Sequence, residues 1–510
     1  MRPSIERGGR KAAPTSTASR RQYRRSIVVL AAGTCLAGSL PESAIAQPAA
    51  PPDAPAQQQS PTPGPTSENQ GFMGGLMERD NLLGDMGGLR PFLAEHGVSL
   101  GLQETSEVFG NATGGVNQGV AYDGLTLMSL GVDTEKAFGW KGGTFNVSAL
   151  QIHGRSLTAD NLLTLQAASG IEATRSTRLW ELWYQQAFSD GRFDVKIGQQ
   201  SVDQEFTLSS YSSLFINAAM GWSVLPAVNL YAGGPAYPLA SLGVRFRARP
   251  MEGLTILAGV FNDNPPGGPF DDDSQVRGAA QSGTKFNMRT GALFIAEVQY
   301  AINQPVEGGT DKANPPTGLP GTYKLGAWFD TASFPDQRFD ADHVSLADPL
   351  SSGDPLMRRN NYAIYGVVDQ TVWRPSADSP PSVGVFARMM GAPGDRNLVD
   401  FAVNAGIVLK APLPGRDNDS FGVGFGIANI SGNARRFDKD TAFQTGVPFP
   451  ERGAETFIEV TYQYQAAPWL TLQPDFQYFF TPAGGIPNPN EPTRRVSNEA
   501  VFGLRTNIVF

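Results

Sequence analysis

The chain has 510 residues, a net charge of −8 and a single cysteine, Cys35. That acidic balance argues against nucleic acid as a partner, and Cys35 falls in a leader-like stretch, so disulfides and thiolate metal sites are excluded. Mean hydropathy is −0.23, and past the N-terminus no apolar run reaches the ~18–20 residues of a membrane-crossing helix. A helical membrane protein is therefore excluded. A transmembrane barrel is not, because its outward apolar and inward polar residues cancel in any window average.

Taken in order, the chain opens on a secretory leader. Arg20, Arg21, Arg24 and Arg25 precede the apolar stretch Ile27–Leu40, and Ala44-Ile45-Ala46 fits a small-x-small cleavage site before Gln47. Residues 1–46 read as a signal peptide. Residues 47–70 are rich in Pro, Ala and Gln, with nothing to bury, and read as a flexible linker. Residues 71–96 read as a short periplasmic helical segment, with Pro91 in the first turn of a helix over Arg90–Glu95 and Gly97 ending it.

From 97 to 510, alternating segments recur with turn signals between them. The expected strands are 97–109, 122–134, 143–153, 178–188, 192–201, 239–249, 252–262, 290–300, 322–330, 361–373, 382–390, 398–410, 419–429, 455–465, 469–480 and 498–510. Segments of this length, tilted by about 45°, cross an apolar band of ~25 Å. Links after even-numbered segments include very short ones, such as Ser189-Asp190-Gly191 and Pro250-Met251. Links after odd-numbered segments include long ones, such as 154–177, 202–238 and 331–360. A soluble sandwich has no reason to alternate loop length, whereas a barrel with periplasmic turns and external loops does. The fold class expected is all-β: a transmembrane antiparallel barrel of about 16 strands with both termini on the periplasmic side.

The last segment sets the parity. Phe510, Ile508, Thr506, Leu504 and Phe502 share one face and Asn507, Arg505 and Gly503 the other. Such a terminal strand, ending on Phe510, resembles the closing-strand signal of bacterial outer-membrane barrels, and implies the barrel-assembly machinery as a partner. In the same way Ile458, Val460, Tyr462 and Tyr464 should face lipid, against Phe457, Glu459 and Thr461.

The sharpest signal for the lumen is Val244-Arg245-Phe246-Arg247-Ala248-Arg249. An arginine facing lipid at mid-depth would cost about 2–4 kcal/mol, so Arg245 and Arg247 should face inward, with Arg249 at the rim. Inward carboxylates are expected at Glu181, Asp194, Glu297 and Glu459, and Trp183 shares the parity of Glu181. These carboxylates either neutralise the arginines and hold loops down, or form with them a polar constriction for a hydroxylated solute. An aromatic face beside such groups suits a sugar ring, which has a C–H face and a rim of hydroxyls.

Enzymatic motifs are absent. His96, His153 and His343 have no metal-ligand spacing, and nothing resembles a nucleophile elbow or a phosphate loop. No cofactor, no metal site and no catalytic residue is expected. Asp271-Asp272-Asp273 reads as a solvated outer loop.

A set of motifs spread along the barrel resembles the OprB-type carbohydrate-selective porins. They include Leu93-Ala94-Glu95-His96-Gly97, Leu182-Trp183-Tyr184-Gln185-Gln186, Ile197-Gly198-Gln199-Gln200-Ser201-Val202-Asp203-Gln204-Glu205-Phe206, Tyr323-Lys324-Leu325-Gly326-Ala327-Trp328, Ala392-Pro393-Gly394-Asp395-Arg396-Asn397, and Pro468-Trp469-Leu470-Thr471-Leu472-Gln473-Pro474-Asp475. The resemblance implies a sixteen-stranded outer-membrane channel of a Gram-negative bacterium for passive diffusion of monosaccharides, glucose above all. Its partners would be small sugars and outer-membrane lipid, including lipopolysaccharide, with the oligomeric state open. Glu181, Trp183, Arg245, Arg247 and Glu459 are carried over as channel-lining candidates. The alternative is a general or anion-biased porin for small polyols or organic acids.

Overall fold

The computed structural model describes residues 75–268, 274–304, 318–376 and 379–510. The signal segment, the linker and Asp271–Asp273 lie outside the described residues. Strands run over Val98–Gly115 (β1), Gly119–Asp133 (β2), Gly143–Gly154 (β3), Ser176–Phe188 (β4), Phe193–Gln200 (β5), Ser241–Met251 (β6), Leu254–Asn262 (β7) and Ala292–Ile302 (β8). They continue over Gly321–Asp340 (β9), Pro355–Trp373 (β10), Ser382–Gly391 (β11), Val399–Lys410 (β12), Ser420–Ile430 (β13), Ala454–Ala467 (β14) and Leu470–Phe480 (β15), and a closing strand spans Ser497–Val509.

Each pairs antiparallel with its neighbours, and the closing strand bonds to both β15 and β1, so the sheet is a closed barrel without a free edge. The alternation is realised as expected. On β14, Phe457 and Glu459 are buried while Ile458 is exposed, and on the closing strand Phe502 and Leu504 are exposed opposite a buried Arg505.

Several expected boundaries differ, most by two or three residues, and β1 runs on to Gly115 rather than ending at 109. β9 continues to Asp340 rather than ending near 330, and β10 starts at Pro355 rather than 361. Apolar alternation stops where the wall leaves the membrane, but backbone pairing continues, with Ser333 opposite Arg359 and Phe334 opposite Arg358. A second departure is the helix Gly432–Thr445 in the loop after β13. It has no apolar stripe to announce it. Ser431 caps its start, and charge pairs such as Arg338 with Asp440 (2.7 and 3.1 Å) fasten it.

At the end carrying the described termini, the helix Leu89–Glu95 packs beneath the seam. Leu82 N–H donates to the Val509 carbonyl at 2.8 Å, and Trp469 Nε1 to Leu76 at 2.7 Å. At the other end β5 stops early at Gln200, and residues 201–240 turn into the lumen before β6 begins. This inward loop brings Phe206, Phe215, Ile216, Met220, Trp222 and Leu225 into a core shared with wall residues Phe261, Phe386 and Phe457. Gly422 and Gly424 on β13 make room for it, since a Cβ there would meet Leu214, Phe215 or Met220. The loop 155–175 folds in beside it. Ala218 N–H donates to Ala167 at 3.0 Å and Gly170 N–H to Ile216 at 2.9 Å.

Candidate functional site

The wall of β4, β5 and β6 carries a ladder of charge. Arg245 sits between Asp194 on β5 and Glu205 of the inward loop, and its guanidinium also donates to Gln185 at 2.9 Å. Lys196 pairs with the same Glu205. Arg247 Nε donates to the second oxygen of Asp194 at 2.6 Å. Glu181 accepts from the Ser201 N–H at 3.0 Å and from Trp183 Nε1 at 3.3 Å, and the Lys196 ammonium lies 4.6 Å from the Trp183 ring centroid. The register explains the grouping: Asp194 lies opposite Arg247 and Lys196 opposite Arg245. Directly opposed residues share a face.

Burial separates contact from support along this ladder. The Arg245 and Asp194 side chains are each 1% exposed, whereas Arg247 is 23% and Glu205 19% exposed. Burial by itself would push the Glu205 carboxyl up, but Lys196, Arg245 and Arg247 overcome it and hold the group below the usual carboxylate range. Trp183 is half-buried.

Glu459 lies elsewhere, fully buried under the inward loop. It accepts the N–H groups of Ile216 and Asn217 at 2.5 and 3.2 Å. It belongs to a set of wall groups that grip the backbone of the two inward loops. Glu297 accepts from Thr207 N–H (2.8 Å), and Asp369 from Ser209 Oγ (2.5 Å) and Ser210 N–H (3.1 Å). Glu455 takes Leu165 and Gln166 N–H (2.8 Å each), and Arg388 donates to the carbonyls of Thr207 (3.1 Å), Ala219, Met220 (3.2 Å) and Gly221 (2.5 Å).

Sequence reading did not single out Asp369, Glu455 or Arg388 as site residues. Their inward parity was readable, but their loop partners lie well over a hundred residues away. Parity also fails locally at one point. A bulge on β3–β4, between the pairs Val147–Leu182 and Ala149–Leu179, buries Trp180 and Glu181 in succession.

A closed antiparallel barrel with an apolar exterior, a charged inner wall and loops folded into its bore defines a porin-type channel. The family model described as carbohydrate-selective porin, OprB family, matches residues 117–510. The chain belongs to that family. It is accordingly a carbohydrate porin of the Gram-negative outer membrane. Among curated relatives, Porin B of Pseudomonas aeruginosa is 27% identical over 446 residues, covering 84% of this chain and 91% of its own. The putative porin QuiX of Acinetobacter baylyi is 25% identical over 457 residues, covering 85% and 94%. The high-pH structure of Pseudomonas putida OprB superposes with a TM-score of 0.73 at 23% identity, over 85% of this chain and 99% of that one.

Proposed function

We propose that solute passes along the lumen side of the β4–β6 wall, where the inward loop is fastened to it. Trp183, Glu205 and Arg247 touch it there, while Glu181, Arg245 and Glu459 hold those groups and the loop in place. The observation that carries this reading is a half-buried Trp183 ring set beside side chains fixed by ion pairs. The ring offers a surface for sugar C–H groups. The carboxylate and guanidinium offer charge-assisted hydrogen bonds to hydroxyls, which are stronger than neutral ones.

The solute is an uncharged monosaccharide of the size of glucose. Lys196, Arg245 and Arg247 are matched by Glu181 and Asp194 on the same wall and by Glu205 of the inward loop, so the ladder gives little net pull on an ion. An anion-biased pore would need the arginines unpaired. The closing strand, with its exposed Phe502 and Leu504, is the segment through which assembly machinery would engage the barrel.

Liposome swelling across glucose, a disaccharide and a small organic anion tests the reading, with the reversal potential measured in planar bilayers. Faster entry of glucose than of either competitor, with a reversal potential near zero, supports it. Equal entry of glucose and the anion would overturn it in favour of the general pore.

A further inference from the structure

The inward loop touches the wall near the end of the barrel that carries the described termini. There Ser209 Oγ and the N–H groups of Ser210 and Tyr211 donate to Asp369 at 2.5, 3.1 and 3.3 Å. The Tyr211 hydroxyl lies 2.6 Å from Thr371 Oγ1, two residues before β10 ends at Trp373. Its ring lies across Gly384, where a Cβ would strike it, two residues after β11 begins at Ser382. Gly384 has the inward parity of the buried Phe386 and Arg388.

The serine and backbone contacts already fasten the loop, so the ring exceeds what an anchor needs. Tyr211 is only half-buried. On a loop inside a closed barrel, its uncovered surface faces the bore. Two wall side chains share this mouth. Gln299 on β8 lies opposite Lys324 on β9, and Lys324 opposite Val367 on β10. Val367 is buried on the inward face with Asp369, so Gln299 and Lys324 point inward as well. Lys324 and Asp369 are diagonal neighbours, a spacing of about 7–8 Å that a long side chain spans. Gln299 and Lys324 are both half-buried, and the Lys324 ammonium has no hydrogen bond or ion pair among the described residues.

We propose that Tyr211, Lys324 and Gln299 form a second monosaccharide contact at this mouth. Trp183 stands deeper, five residues from the end of β4 at Phe188, so a sugar meets the two contacts in series. This second contact presupposes the sugar-channel reading of the β4–β6 wall. The Tyr211 ring takes the C–H face of a pyranose, and the ammonium gives its hydroxyls charge-assisted hydrogen bonds. Asp369, one diagonal away, offsets the ammonium, which suits a neutral hydroxylated solute better than an ion. Conduction needs binding strong enough to enter and weak enough to leave, and several modest sites along a bore meet both demands.

The test is single-channel current in planar bilayers with glucose titrated in, on the full chain as wild type, Tyr211→Leu, Tyr211→Phe, Lys324→Met and Trp183→Ala. Heat-modifiable mobility and a stable open current show that each variant is a folded pore. Tyr211→Leu and Lys324→Met should each raise the half-blocking glucose concentration by about 2–10-fold, the worth of one such contact. Tyr211→Phe loses the bond to Thr371 but keeps the ring, and should stay near wild type. If it is blocked as weakly as Tyr211→Leu, Tyr211 is an anchor alone and the proposal is overturned. Wild-type block in Lys324→Met also overturns it, and this variant decides the question should Tyr211→Leu not fold. Weakened block in Trp183→Ala alone overturns the second contact and leaves the first standing, whereas a wild type that glucose does not block overturns both.

Discussion

The Ile216 N–H donates to Glu459 at 2.5 Å, joining the inward loop to a wall strand 243 residues further along the chain. The contact fixes the bore of the channel without facing it. A net hydrogen bond contributes about 0.5–1.5 kcal/mol, so the Ile216 and Asn217 contacts together hold the loop by roughly 1–3 kcal/mol. Glu459→Ala should leave a folded barrel whose loop departs from the wall more often. Single-channel recordings should show higher, noisier conductance, and liposome swelling should show faster entry of disaccharides. Unchanged size selectivity would mean that the remaining anchors suffice.

Arg247 and Arg245 should behave differently although they share a parity. Arg247 is partly exposed and bonded to one carboxylate, so Arg247→Ala should fold, conduct ions better and be blocked less by glucose. Arg245 is enclosed between Asp194 and Glu205. Removing it leaves Asp194 with Arg247 alone and Glu205 with Lys196 alone, a loss below the about 3–5 kcal/mol of a fully broken buried pair. Arg245→Ala should therefore lower the yield of folded, heat-modifiable barrel before any effect on selectivity is measured.

Trp183→Ala should separate sugar contact from ion flow. The ring carries no charge, so ionic conductance in the absence of sugar should change little. Glucose dwell, read as current block in a titration, should weaken by the ~0.5–1.5 kcal/mol typical of an aromatic contact. The Trp183→Phe variant, which keeps a flat face, should recover most of the block.

The loop 155–175 should loosen as pH rises. Burial pushes the Glu172 carboxyl up to about 7, against the hydrogen bonds from Ser156 and Thr158 that favour its ionised form. The packed loop thus prefers the protonated acid. That stabilisation is complete below the ordinary carboxyl range near 4.5 and is lost as pH climbs through about 7. Current noise and protease access to this loop should increase between pH 5 and 8, about the window set by those two values. In Glu172→Gln the increase across this window should be smaller.

Much of the architecture is written locally. A strand's two faces alternate by stereochemistry, so Phe246 against Arg247, or Ile458 against Glu459, could be assigned to lipid and lumen from residue order alone. The number of strands and the inward row of Arg245 and Arg247 follow from the same rule. The bore itself does not. Residues 201–240 have no period, because an irregular loop satisfies its amides with whatever the wall presents. Only the closed barrel brings Glu297, Asp369, Arg388 and Glu459 around that backbone. The bulge that turns Trp180 and Glu181 to one side, and the setting of Lys324 diagonal to Asp369, are likewise matters of register between strands. Register is a property of pairing between strands, and no single segment carries it.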